Sequence, residues 1–230
     1  MFKNIKAVCF DADDTLWQNE PIFRRAERRY CRLMKPYSPP EETARKLFAA
    51  EVKNLPLYGY GVKAFMLSMI ETALAVSGGE VSTQILQKII AMGRKMLAHP
   101  VVLLPGAEAV LKTLSKKYKI AVATKGDLLD QQRKLAKSGL TKYLHHIEVM
   151  SEKDKNGYAK LMADLGVKPR HFLMAGNSLK SDILPVLNAG ANAVYIPCKD
   201  TWEHETADES KIKSPRYAKA QNIKELLKLL

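Results

Sequence analysis

Apolar positions along this chain follow two different rhythms. From Pro21 to about His99 they recur every three or four residues, the spacing of one face of a helix. The interruptions are helix stops: Pro36-Tyr37-Ser38-Pro39-Pro40, Gly78-Gly79 and Pro100. The pattern predicts helices over 21–35, 41–54, 63–76 and 82–99, with Glu41 and Glu42 in the first turn of the second, and no strand among them. Outside this block the apolar residues come in short continuous runs, at 5–10, 120–123, 147–150, 171–175 and 193–196, as in strands covered on both faces. Short helical patterns stand between the later runs, at 107–118, 128–137, 158–165 and 183–188. Strands alternating with helices imply right-handed crossovers and a parallel sheet. The expected fold class is α/β, a Rossmann-like parallel sheet core with helices on both faces and an inserted all-helical domain. Residues 1–17 and 99–230 form the core in this reading and 18–98 the insertion.

The strand ends carry the chemistry. Val8-Cys9-Phe10 stops in Asp11-Ala12-Asp13-Asp14-Thr15. If the extended backbone continues, Asp11 and Asp13 project to one side. Two carboxylates so close must raise a pKa or recruit a cation, and a hard divalent ion such as Mg2+ would resolve the conflict. An acidic turn that caps the next helix is written with the same letters, and Asp14 suits that use. Asp11, Asp13, Thr124, Lys153, Asn177 and Asp182 all fall at or just beyond the carboxyl ends of separate strands, where open α/β sheets bind ligands.

Composition narrows the partners. The length of 230 residues allows one core domain and a smaller insertion. A formal charge of +13 favours anionic ligands. The densest basic group, Arg24, Arg25, Arg28, Arg29, Arg32 and Lys35, recurs at helical spacing and reads as a solvated face. No RNA-binding aromatic motif or helix-turn-helix accompanies it, so nucleic acid is not an expected partner. Cys9, Cys31 and Cys198 have no zinc or disulfide-framework spacing. The apolar runs are far short of a membrane span, and Met1-Phe2-Lys3-Asn4 leads into a strand rather than an apolar leader. A cytoplasmic protein with no membrane partner is expected; no pattern speaks to its oligomeric state.

Taken in order, these strand ends resemble the four motifs of the haloacid-dehalogenase-like hydrolase superfamily, and within it the phosphatases with a helical cap between their first and second motifs. Asp11-Ala12-Asp13-Asp14-Thr15 matches the first motif, Thr124 the second, Lys153 the third, and Gly176-Asn177-Ser178 through Asp182 the fourth. Two departures stand out. Asn177 replaces the usual metal-binding Asp, and neither Lys153 nor Lys155 is followed by the proline common in the third motif. Lys153 fits better by counting back from the next helix, with Lys155 as the alternative.

The resemblance implies a Mg2+-dependent hydrolase of small phosphate monoesters, nucleotide or sugar phosphates, working through an aspartyl phosphate. It makes Asp11 the nucleophile and Asp13 the acid and base. Mg2+ would lie on Asp11, the Asp13 carbonyl and Asn177. Phosphate would be gripped by Thr124, Lys125, Lys153 and the backbone N–H groups of Ala12 and Asp13. Asp182 and Ser178 would stand behind these groups, Asp182 orienting the lysine or a water on the metal. Haloacid dehalogenases lack the second aspartate, so Asp13 argues for phosphate esters. A phosphomutase on the same residues and a non-catalytic anion-binding module remain alternatives. In the insertion, Arg24, Arg25, Tyr58, Tyr60 and Lys63 are candidates for touching the leaving group, and Trp17, Trp202 and His204 for lining the entrance.

Overall fold

The computed structural model describes residues 2–230. Its elements run β1 (Ala7–Phe10), α1 (Glu20–Met34), α2 (Pro40–Tyr58), α3 (Val62–Val76), α4 (Thr83–Leu97), α5 (Ala107–Leu114), β2 (Lys119–Lys125) and α6 (Leu128–Ser138). There follow β3 (His146–Met150), α7 (Lys155–Asp164), β4 (Phe172–Gly176), α8 (Leu184–Asn188), β5 (Asn192–Tyr195), β6 (Tyr217–Lys219) and α9 (Leu226–Leu229). They group into two compact units. One takes the chain through Glu20, Val101–Lys125 and Gln131–Leu230; the other takes Pro21–Pro100 and Gly126–Asp130.

The first unit is built on a six-stranded sheet of order β3-β2-β1-β4-β5-β6 with every pairing parallel. Alternation along each strand supplies both faces. Val8, Phe10, Ile120, Val122, Leu173 and Ala175 pack into a core with α5 and the C-terminal Ile223 and Leu226. Their neighbours Ala7, Cys9, Ala121, Ala123, Phe172 and Met174 pack against α7 and α8 on the other face. β1 sits between β2 and β4, where the strand order reverses, the position beyond whose carboxyl ends open α/β sheets bind their ligands.

Several boundaries differ from the sequence expectation. β6 and the short α9 were not expected, because three residues of an edge strand carry no apolar run. α7 starts three residues before Tyr158, since Asp154 caps it by accepting from the Gly157 N–H at 2.7 Å. α2 runs past Asn54 to Tyr58 with Pro56 inside it, ending where Gly59 adopts φ +66°. A π-helical turn over Leu179–Ile183 feeds α8.

The second unit is all helical, around Ala26, Tyr30, Met34, Leu47, Phe65, Met69, Ile89 and Met92. α1 buries Ala26, Tyr30, Cys31 and Met34 and leaves Arg25, Arg28, Arg29 and Arg32 exposed, the solvated face its spacing suggested. Tyr30 donates its hydroxyl to the Met69 carbonyl at 3.0 Å, which ties α1 to α3. Tyr58 donates to Glu71 at 2.6 Å and Lys63 to Asp127 at 2.9 Å, so both side chains have partners inside the unit. Among the described residues no helix is long and apolar enough to cross a membrane.

Candidate active site

Strand β1 hands its direction to a tight loop. The Asp11 N–H still donates to the Ala175 carbonyl at 2.9 Å, but the Leu16 N–H then turns back to the Ala12 carbonyl at 2.8 Å and the Asp14 N–H to the Trp17 carbonyl at 2.7 Å. Asp14 takes a left-handed conformation, φ +62°, which Asp tolerates better than bulkier residues. The extended alternation assumed for Asp11 to Asp14 is therefore absent, because the chain must reverse to start α1. Asp14 performs that start: its two oxygens accept from the N–H groups of Asn19 and Glu20, each at 2.8 Å. Burial pushes its carboxyl up to about 7 against those two donors.

Asp11 stays at the strand end and is met from two other strand ends. Lys153, 5% exposed, reaches in from beyond β3 and places Nζ 2.5 Å from Asp11 Oδ1 and 2.7 Å from Asp182 Oδ1. Asp182 is fully buried, and its other oxygen accepts from the Ser178 N–H at 2.9 Å. Gly176 is required here by space alone, since a Cβ on it would collide with the Asp182 carboxylate. Lys155 is exposed in the first turn of α7. One ammonium thus serves two buried carboxylates. Burial works to lower the lysine's pKa, but Asp11 and Asp182 outweigh it and hold the ammonium above its usual value. Burial also pushes the Asp11 carboxyl up to about 7 despite Lys153. Of the two opposed directions the lysine's is the firmer: it faces two carboxylates, whereas Asp11 faces one ammonium and, across it, a second negative charge. The trio is one positive charge short.

The free oxygen of Asp11 points to where that charge would go. One end of the Asn177 amide lies 3.1 Å from Asp11 Oδ2, 3.3 Å from the Asp13 carbonyl oxygen and 3.2 Å from Thr15 Oγ1. As nitrogen it donates to these acceptors; as oxygen it accepts from Thr15 and forms a cluster of hard oxygens. Their spacing of about 3 Å is that of neighbouring ligands around an octahedral ion with bonds of about 2.1 Å. The donor set therefore fits a small divalent cation.

Asp13 turns elsewhere. Trp17 Nε1 donates to its Oδ1 at 2.6 Å, Lys134 Nζ lies 2.6 and 2.9 Å from its two oxygens, and Gln131 Nε2 donates to Oδ2 at 3.0 Å. Gln131 also donates to Thr124 Oγ1, at 2.8 Å, so the buried threonine next to the end of β2 is tied to the same group. Sequence reading missed Gln131 and Lys134. Their only signal is a polar pair three residues apart on the helix that follows Thr124.

The side chains of Lys125, expected beside the phosphate, and of Ser178, expected behind the site, join a second cluster, although the Ser178 N–H still backs Asp182. Lys125 Nζ lies 2.6 Å from Glu205 Oε1 and 3.0 Å from Ser181 Oγ, while Ser178 and Ser181 donate to Glu205 Oε2 at 2.6 and 2.5 Å. Burial acts to raise the Glu205 carboxyl, but Lys125 and the two hydroxyls hold it down at about 2. Trp202 and His204, from the same segment, pack ring against ring with centroids 5.0 Å apart and planes tilted by 43°.

Fold and site together define an α/β enzyme of the doubly wound kind, with its reactive groups at the carboxyl edge of a parallel sheet. A family model described as haloacid dehalogenase-like hydrolase matches residues 5–190, and the chain belongs to that family. It is similar to a haloacid dehalogenase-like family hydrolase from Xanthomonas campestris, with 34% identity and a TM-score of 0.86, covering 96% of this chain and 88% of the other. It is also 26% identical to glyceraldehyde 3-phosphate phosphatase of Methanothermobacter thermautotrophicus, over 84% of this chain and 85% of that one. Human N-acylneuraminate-9-phosphatase is 24% identical, over 82% and 81%.

Proposed function

We propose that this chain is a Mg2+-dependent phosphatase of small phosphate monoesters, nucleotide or sugar phosphates, acting through an aspartyl phosphate on Asp11. The observation that carries the reading is the division of the Asp11 carboxylate, with Oδ1 on the buried Lys153 and Oδ2 facing the Asp13 carbonyl and the Asn177 amide. A nucleophile that attacks a dianion needs positive charge on both sides. The two phosphatases the chain is similar to act, by name, on glyceraldehyde 3-phosphate and on N-acylneuraminate 9-phosphate.

In the first step an oxygen of Asp11 bonds to phosphorus, the bond to the leaving oxygen breaks, and Asp13 supplies the proton that oxygen takes up. In the second, Asp13 takes a proton from water as the water oxygen bonds to phosphorus and the Asp11–phosphorus bond breaks, releasing inorganic phosphate. Lys153 stays protonated and balances the charge of Asp11 and the transferring group. Thr124 holds a phosphate oxygen, as do backbone N–H groups of the loop after Asp11. Asp182 orients Lys153. Held by Asp11, the Asp13 carbonyl and Asn177, Mg2+ would neutralise part of the phosphoryl charge. The helical insertion, 18–98, would act as the cap that selects the leaving group.

A screen of phosphate monoesters with Mg2+ and with chelator tests this. Metal-dependent release of inorganic phosphate is expected for at least one ester, and Asp11→Asn is expected to lower it by about 10³-fold or more with the thermal midpoint retained. Turnover near wild type in Asp11→Asn would sink the mechanism.

A further inference from the structure

Asp13 is held by residues outside all four motifs. A carboxylate offers about four lone-pair directions. Here Oδ1 accepts from Trp17 Nε1 and Lys134 Nζ, and Oδ2 accepts from Lys134 Nζ and Gln131 Nε2. Three donors therefore fix both the position and the plane of the group. Gln131 and Lys134 can do this jointly because residues three apart on α6 share a face.

Gln131 is itself anchored, its nitrogen contacting Thr124 Oγ1 and the Lys125 carbonyl as well, while its Oε1 is buried with no partner. An amide kept only for packing would be satisfied at both ends; this one is arranged around its nitrogen. Lys134 has a second acceptor, Asn19 Oδ1 at 3.3 Å. It can withdraw from one Asp13 oxygen without losing every partner, which a saturated carboxylate needs before it can carry a proton.

Resting on the phosphatase reading above, we propose that Gln131 and Lys134 are positioning residues for Asp13, holding its carboxylate where it exchanges protons with the leaving oxygen and the attacking water. When the bond from phosphorus to the leaving oxygen breaks, the electron pair stays on that oxygen and the Asp13 proton goes to it. The ionised Asp13 is then regripped by Lys134 and Gln131 until it takes a proton from the water that attacks phosphorus. Neither residue touches the phosphorus or the leaving group in this scheme.

The test uses the full-length chain with Mg2+ and two esters, p-nitrophenyl phosphate and benzyl phosphate. The nitrophenolate leaves without a proton, whereas the benzyl alkoxide needs one, and kcat/KM reports the step that breaks that bond. Lys134→Met and Gln131→Leu are each expected to lower kcat/KM for benzyl phosphate by about 10²-fold and for p-nitrophenyl phosphate by less than about threefold. Lys134→Arg should recover part of the benzyl loss. In an Asp13→Asn background, Lys134→Met should add nothing, because its route to the reaction is gone. Equal losses on both esters, or losses that multiply with Asp13→Asn, overturn the proposal. The ester ratio does not depend on the folded fraction, so a variant of lowered stability still decides the question. If wild type hydrolyses no phosphate monoester, neither these two nor any in the wider screen, the phosphatase reading itself fails; wild-type turnover with an unchanged ratio in the variants removes the positioning role alone.

Discussion

Two lysines, Lys125 half-buried and Lys153 buried, stand at the carboxyl edge of the same sheet, and the groups they hydrogen-bond differ in one unit of charge. Lys125 hydrogen-bonds one carboxylate, Glu205, with two serine hydroxyls filling the remaining acceptor positions, and meets the exposed Glu152 only at 4.0 Å, so the hydrogen-bonded group is neutral. Lys153 meets two carboxylates and is left one positive charge short. The pKa values follow: Glu205 is held down at about 2, while Asp11 is pushed up to about 7. A satisfied cluster fastens one segment to another. An unsatisfied one has a use for a cation or for chemistry, because low dielectric makes its deficit costly until something positive arrives.

The strongest way to break this contrast is to remove the lysine of the deficient cluster. Lys153→Met leaves Asp11 and Asp182 buried without their ammonium. Loss of one member of such a group costs about 3–5 kcal/mol, or a fall in thermal midpoint of about 2–4 °C for each kcal/mol. Urea titration of the two proteins checks it. A difference below about 1 kcal/mol would mean that the two acids are already neutral or reached by water, and the charge argument would go.

The neutral cluster is tested through pH. Glu205 has its carboxyl at about 2 against an ordinary 4.5. A depressed acid lends stability that is complete above its unfolded value and disappears as pH falls through the folded one. The ion pair and hydroxyl bonds should thus contribute about 3 kcal/mol above pH 4.5, lost progressively down to about pH 2. Glu205→Gln removes the charge, so its unfolding free energy should trail wild type near pH 6 and converge with it toward pH 2. A gap that stays constant across that window would assign the contribution to packing rather than ionisation.

The two clusters also differ in how far the sequence announces them. Asp11, Thr124, Asn177 and Asp182 could be placed because each follows an apolar run, and a strand that stops in polar residues marks the edge of a parallel sheet. Lys153 needed counting, since no proline marks it. Gln131, Lys134 and Glu205 were beyond reach. The first two sit on the polar side of an ordinary amphipathic helix, and their partner Asp13 lies 118 and 121 residues earlier. Glu205 belongs to a segment without periodicity, between β5 and β6. Apolar spacing reports which side of an element is buried; it does not report which distant polar group that element meets. The loop at Asp13 and Asp14 failed for a related reason, because the need to reverse into α1 overrides the strand's alternation.

The smallest effect expected comes from restoring the charge that Asn177 lacks. Asn177→Asp adds a carboxylate 3.1 Å from Asp11 Oδ2, in a group already one positive charge short. In chelator the variant should therefore be less stable than wild type, with two adjacent carboxylates repelling each other. With Mg2+ the sign should reverse, since a charged oxygen ligand binds a hard cation more tightly, by about an order of magnitude in dissociation constant. The difference between thermal midpoints with and without Mg2+ must then widen relative to wild type, because a ligand that binds only the folded state stabilises it by an amount set by its concentration over that constant. This readout needs no substrate. A midpoint difference that does not change would place the cation elsewhere, and Asp11, the Asp13 carbonyl and Asn177 would lose the role proposed for them.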